Sequence, residues 1–383
     1  MGIDKIIVHQ ISLPFSFDFS HSLRTRSSVN NIIVEVIADR EEVAGYGEGA
    51  PRSYVTGETQ KGTAESIMSF TREQLFPWDL TDVSQIWNLV DKLTKGKETN
   101  SAICALETSL LDALGKKEKK SITDYFPKDF YVNRISYGGA IPLADKQRVM
   151  EVCHLIKARK IKKLKLKLGS DLKKNREAID AVKQIYGDDY ELKVDVNGVW
   201  DYEMAIKHVP LILEYRVKVV EQPMKPDDPD LSRFAKVMCD YGVMLMADES
   251  ACSLADMERI AKESYYGMVN MRLSKCGGFR NSLKMIDYLR DHGIYFQVGC
   301  QLGESGILSA AGRILSLLCS DAVYYDGSYD EFLIEENVTL EHVTFGPGGE
   351  AGPLKGHGLG VEISPQSLER LSNPSTRVIV MRP

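Results

Sequence analysis

The sequence predicts an α/β protein: a modified TIM barrel, (β/α)7β, joined to an α+β unit. Three observations predict it. From about Tyr131, short β-rich segments alternate with amphipathic helical stretches at a pitch of about 27 residues, the pattern of βαβ units with parallel strands. Eight such segments end at Ile141, Leu168, Val196, Val220, Ala247, Leu273, Val298 and Tyr325, and eight strands close a barrel. Only seven helical stretches fit before the Gly/Pro-rich run 346–360, so the eighth crossover is modified or missing.

The α+β unit comes first. Residues 1 to about 50 alternate in β fashion (Ile6, Val8; Ile32, Val34, Val36), with glycine turns around Gly45 and Gly47. From Glu58 to about Lys116 the apolar spacing becomes helical, with Ile103, Leu106, Leu110, Leu111 and Leu114 on one face. The expected division is an α+β domain over 1–125, completed by 331–383, and a barrel domain over 126–330. Within the barrel, helices are expected over 171–186, 201–215, 279–292 and 305–318.

Composition narrows the function classes. Of 383 residues, 43% are hydrophobic and 27% charged, as in an ordinary globular chain with a sizeable core. The net charge, 48 minus 54 or −6, argues against a nucleic-acid or anionic-membrane surface as partner. Seven cysteines without a CxxC pair fit reduced thiols rather than a disulfide framework or thiolate zinc site. The first residues lack the apolar run of a signal peptide. The most apolar stretch, Gly306 to Cys319, is broken by Arg313 and is shorter than the ~20 residues of a membrane span. A cytoplasmic protein, a homo-oligomer acting on a small molecule, is the expectation.

Five polar residues recur at one phase of successive barrel units: Lys167, Asp195, Glu221, Asp248 and Lys275. Each falls where a strand gives way to a βα loop, the end at which barrel enzymes place their chemistry. An acid after a strand is often a helix N-cap, and a salt-bridge ring of acids and lysines is the structural alternative. Five in phase favour chemistry. Three carboxylates from adjacent strands repel one another unless a cation neutralises them. All-oxygen ligation by Asp195, Glu221 and Asp248 selects a hard ion such as Mg²⁺. Asn197, two residues after Asp195, faces the same side and can support that ligand.

In Lys163-Leu164-Lys165-Leu166-Lys167 the lysines share one face and the leucines the other. A central parallel strand has no solvent face, so the leucines pack on helices and Lys165 and Lys167 point inward. Positive neighbours and desolvation lower an ammonium pKa, which makes a lysine usable as a base. Lys167 on the second strand and Lys275 on the sixth are expected on opposite sides of the ring. One would remove a proton and the other return it from the opposite face, with the metal stabilising the enediolate formed from a carboxylate substrate.

The motifs Lys165-Leu166-Lys167, Asp195-Val196-Asn197, Val220-Glu221-Gln222-Pro223, Ala247-Asp248-Glu249-Ser250 and Ser274-Lys275-Cys276-Gly277-Gly278 together resemble the enolase superfamily, in its muconate lactonizing enzyme subgroup. Sites of that superfamily pair a Lys or His base with Mg²⁺. The resemblance implies that the α+β unit caps the barrel and that Glu249 supports the metal ligands. Strand seven carries no His, unlike the mandelate racemase subgroup. The loops Leu23-Arg24-Thr25 and Val55-Thr56-Gly57-Glu58-Thr59 look like those of dipeptide epimerases, which implies that Arg24 meets a substrate carboxylate; a surface Arg on a loop is the alternative. Glu304 after strand seven and Asp326 after strand eight are implied to read the substrate, Asp326 by holding an ammonium. The implied function is an epimerase or racemase of a dipeptide or amino-acid derivative. A muconate-type cycloisomerase, an o-succinylbenzoate synthase and a non-catalytic binding relative are the alternatives.

Overall fold

The structure, a computed structural model, describes residues 1–21 and 24–383; the side chains of residues 17–26 lie outside that description, and the expectation for Arg24 falls there. Strands β1 (Ile3–His21), β2 (Arg24–Ala38) and β3 (Val43–Gly49) form an antiparallel meander. Helices α1 (Gln60–Phe70), α2 (Val83–Leu93) and α3 (Asn100–Glu118) follow. Alternation in β3 turns Gly45, Gly47 and Gly49 toward α3. A Cβ at Gly47 would lie 2.1 Å from Ala105 O, and one at Gly49 2.3 Å from Ser101 O, so only glycine lets the helix rest on the strand backbone.

After the two-residue β4 (Ile135–Ser136), the barrel strands are β5 (Gly139–Ile141), β6 (Lys163–Lys167), β7 (Glu191–Asp195), β8 (Val219–Glu221), β9 (Met244–Ala247), β10 (Met268–Arg272), β11 (Tyr295–Gly299) and β12 (Tyr324–Tyr325). They form one eight-stranded parallel sheet in consecutive order. The crossovers are α4 (Lys146–Ala158), α5 (Leu172–Tyr186), α6 (Tyr202–Glu214), α7 (Leu231–Asp240), α8 (Leu254–Glu263), then α9 (Leu273–Cys276) running into α10 (Gly278–Asp291), and α11 (Gly306–Leu317). Seven crossovers and a last strand without one give the expected (β/α)7β pattern. Several helices begin where polar caps stand: Asp171, Asp201 and Ser305 each accept backbone N–H bonds from the first turn of α5, α6 and α11. The curled sheet closes beyond β12 through Gly138 N donating to Tyr325 O (2.8 Å) and Tyr329 Oη donating to Gly138 O (2.7 Å).

After β12 come the short α12 (Asp330–Leu333), β13 (Glu350–Ala351) paired with β4, α13 (Pro365–Leu371) and β14 (Val378–Met381). β14 pairs antiparallel with β1, from Lys5↔Met381 to Val8↔Val378, so the chain ends in the sheet in which it started. All seven cysteines are free thiols. Among the described residues no helix is long and apolar enough to cross a membrane.

Cap and barrel meet through buried carboxylates. Glu48 on β3 accepts from Asn31 Nδ2 (2.6 Å), from the Ser305 hydroxyl (2.6 Å) and from Leu308 N (3.0 Å), which ties the cap sheet to the first turn of α11. Glu107 on α3 accepts from Phe279 N (2.5 Å) and Arg280 N (2.8 Å), satisfying backbone donors at the start of α10.

Candidate active site

A cavity of about 240 Å³ reaches the C-terminal ends of the barrel strands, and Lys165, Lys167, Asn197, Glu249, Arg272 and Glu304 line it. The alternation of β6 works as the sequence implies: Leu164 and Leu166 are buried in the core, while Lys165 and Lys167 point into the barrel. Strand register then sets the neighbours. Lys167 lies beside Asp195, and Asp195 beside Glu221. Asp248 follows two residues after Met246, the residue registered with Glu221.

Lys167 Nζ donates to Asp195 Oδ2 (2.8 Å) and to Asn197 Oδ1 (2.8 Å). Asn197 has φ +50°, a left-handed turn that Asn tolerates, and its amide donates onward to Glu249 Oε1 (3.1 Å). Gln222 is also left-handed, with φ +38°. Its Oε1 accepts from Asp248 N (2.9 Å) and Ser250 N (3.1 Å), so it fixes the turn that carries Asp248 and Glu249.

The charges show how tightly acids and bases are matched. Burial works to raise Asp195, but Lys167 and Lys165 outweigh it and hold its carboxyl below the usual range. Asp248 is likewise held low against burial by Arg272 and Lys275. Glu221 goes the other way: burial, with Asp195 and Asp248 beside it, pushes it up despite Lys165 and Arg272. Burial and the neighbouring Asp248 and Asp195 carry Glu249 to about 8. Lys165 does not follow the expected lowering. Burial acts in that direction, yet Asp326, Glu221 and Asp195 hold its ammonium well above the ordinary value.

Two predicted site residues lie elsewhere. Lys275 does not line the cavity. β10 ends at Arg272 and the chain turns at once into α9, which carries Lys275 away from the wall into full burial. Its Nζ donates to Asp248 O (2.7 Å), Asp248 Oδ1 (3.0 Å) and Asn270 O (2.6 Å). The position facing the cavity belongs to Arg272, which the sequence reading passed over. One Arg272 nitrogen bonds Asp248 Oδ2 and stands 3.4 Å from Glu221 Oε1, while another donates to Gln301 Oε1 (3.1 Å). Asp326, expected to hold a substrate ammonium, is buried and already pairs with Lys165 (2.9 Å) and with Lys193 (2.9 Å). Those two cations hold its carboxyl well below the usual range against burial. Lys193 also escaped the sequence reading, although it precedes Asp195 by two residues and so shares its face. Glu304 does line the cavity; burial pushes it up to about 8, and its Oε1 accepts from Gln301 N (2.6 Å).

Among the described residues, no three His, Cys, Asp or Glu side chains already stand as a metal cluster. The donor set nevertheless fits a hard cation. Glu221 Oε2, 3.7 Å from Lys165 Nζ, and Glu249 Oε2 are buried without a hydrogen-bond partner, an arrangement that an added cation would relieve.

A model of the mandelate racemase / muconate lactonizing enzyme N-terminal domain matches residues 5–126, and one of the enolase C-terminal domain-like fold matches residues 148–367. The chain belongs to the enolase superfamily. Within it, similar proteins include epimerases, racemases and a chloromuconate cycloisomerase of Pseudomonas putida, 27% identical over 97% of this chain and 99% of the relative. The hydrophobic dipeptide epimerase of Enterococcus faecalis is 27% identical over 315 residues, 81% of this chain and 86% of the relative. The structure of the N-succinyl Arg/Lys racemase from Bacillus cereus superposes with a TM-score of 0.86 at 25% identity, over 99% of this chain and 100% of that one. A dipeptide epimerase from Cytophaga hutchinsonii, complexed with Mg and the dipeptide D-Ala-L-Val, gives 0.85 at 21% identity, covering 99% and 100%. These superfamily relatives share the fold from cap to last strand.

Proposed function

We propose that this enzyme removes the α-proton of a small carboxylate substrate, with Lys167 as the base, Lys165 beside it, and Mg²⁺ held by Asp195, Glu221 and Asp248. One observation carries the reading: Lys167 stands at the cavity wall against Asp195, at the head of three adjacent strand-end acids. A bound Mg²⁺ would supply positive charge where the substrate carboxylate becomes an enediolate. Asn197 and Gln222 hold the surrounding turns. The substrate class, by likeness to the dipeptide epimerases and the N-succinyl amino acid racemase, is a dipeptide or N-acylated amino acid, with Glu304 lining its pocket. Epimerisation or racemisation is the reaction those relatives are named for, and it needs a proton donor on each face of the substrate. Cycloisomerisation or dehydration is a second reading, favoured by the burial of Lys275, because it needs one working base.

The test is mass spectrometry of a dipeptide and N-acylamino acid library incubated with enzyme and Mg²⁺ in deuterated water. Gain of one mass unit, abolished by a chelator, is expected for the substrate. No incorporation across the library with metal bound would overturn the dipeptide and N-acyl reading.

A further inference from the structure

Lys167 and Arg272 end β6 and β10, which lie four positions apart in the eight-strand order and so face each other across the barrel. Resting on the α-proton abstraction proposed above, we infer that proton transfer here is one-sided: Lys167 serves one face of the substrate, and the opposite face meets Arg272, which grips anions and does not shuttle protons.

The geometry of Lys275 is the first support. An ammonium has three N–H donors, and all three contacts of Lys275 are fixed acceptors of the protein: two oxygens of Asp248 and the carbonyl of Asn270. The residue has 0% exposure and, like Asp195, Glu221 and Asp248, lies behind the cavity wall, so it is its three filled contacts that set it apart. It braces the Asp248 turn against the end of β10. A base must come within hydrogen-bond reach of the proton it takes, and the donors of Lys275 are all spent on the protein's own oxygens.

Arg272 is the second. Its guanidinium lines the cavity and is fastened to Asp248, Glu221 and Gln301. Guanidinium stays protonated in proteins, and its planar fork suits carboxylates. It can hold the charge of an enediolate or of a substrate carboxylate, but it has no lone pair to accept a proton.

The resulting chemistry balances with one base. Lys167 Nζ, as a neutral amine, takes the α-proton and becomes an ammonium while the C–H electron pair passes into the carboxylate. The proton then returns to the same face and restores the original configuration. Alternatively, a β-substituent departs with its bonding pair as the carbon–carbon double bond forms, and the ammonium proton goes to that leaving group. Lys167 ends neutral in both cases. Elimination, its reverse addition, and exchange with retention are open to such a site; inversion is not.

Two measurements test this on the intact protein. Reductive methylation of the native enzyme, read by peptide mass spectrometry, should label Lys167 at least tenfold faster than Lys275; equal labelling would place Lys275 at the cavity and overturn the inference. Chiral analysis of L-Leu-L-Tyr and N-succinyl-L-arginine incubated with wild type in deuterated water should show no inverted product, and any deuterium gained should sit in the original configuration. Inverted product from wild type would overturn the inference and hand the second proton to Glu249 or Glu304, which share the wall with Arg272. Arg272→Lys, which puts an ammonium on that face, should gain inversion with any probe that exchanges. Failure of both probes to exchange weighs against the proposed substrate class, while the labelling ratio still decides the one-sided geometry.

Discussion

Arg272 shares one guanidinium nitrogen between Asp248 Oδ2 and Glu221 Oε1, so a single permanent cation serves two of the three candidate metal ligands. Arg272→Ala therefore takes the shared cation from two buried carboxylates, leaving Asp248 with Lys275 and Glu221 with Asn270 and, at 3.7 Å, Lys165. Breaking a buried pair from one side costs ~3–5 kcal/mol. Mg²⁺ should restore part of that loss, so the variant's unfolding midpoint should rise more with added Mg²⁺ than the wild type's. Equal shifts would mean that Arg272 and the metal do not share ligands.

Lys167→Ala should reduce α-proton exchange by ~10²–10⁴-fold, the usual worth of a positioned general base. Asp248→Asn should weaken Mg²⁺ binding and exchange together. Calorimetric Mg²⁺ titration separates the two: the Lys167 variant should still bind the ion, and the Asp248 variant should bind it poorly.

Asp326 should matter for stability rather than substrate affinity. It ionises near 3.9 in an unfolded chain, and its folded value is lower because Lys165 and Lys193 surround it. Its stabilisation is therefore complete above about pH 4 and is lost as pH falls through the lower folded value. Asp326→Asn should be destabilised by ~3–5 kcal/mol near neutrality and converge on wild type in acid, as read by urea unfolding across pH. A variant with normal stability and a raised KM would return Asp326 to the substrate pocket.

Glu304 has the opposite sign. Burial holds its folded value at about 8, above the ~4.3 of an unfolded chain, so the folded state keeps a proton that the unfolded state releases. Wild-type stability should fall by up to about 1.4 kcal/mol per pH unit between those values, from this group alone. Glu304→Gln keeps an acceptor for Gln301 N and lacks the titration, so it should gain on wild type as pH rises from 5 to 8. Parallel pH profiles would show that Glu304 is ionised throughout.

The barrel was legible because its repeat is written twice, in the spacing of the strands and in the acids that end them. Asp195 and Glu221 end adjacent strands and Asp248 follows the end of the next, as their phase requires, and the period of two in β6 sends Lys165 and Lys167 inward. The same counting failed at Lys275, because it assumes that the strand continues. β10 stops at Arg272, and the helical turn of α9 redirects the side chain three residues later. Lys193 was legible in principle, since it alternates with Asp195 as Lys165 does with Lys167. The capture of Asp326 by Lys165 and Lys193 was not, because it depends on three strands meeting across the barrel interior.

The glycines of β3 have a mechanical consequence. A methyl at Gly47 would meet the backbone oxygen of Ala105, which cannot swing aside, so the strand itself would have to lift from α3. Glu48 is the next residue, and its carboxylate is anchored to Ser305 and Leu308 at the start of α11, immediately after Glu304. The strand is thus a lever with its fulcrum on a helix and its tip beside the reaction chamber. Substitutions in the cap that touch no substrate can retune the shape of the pocket, and selectivity can drift through residues far from the chemistry.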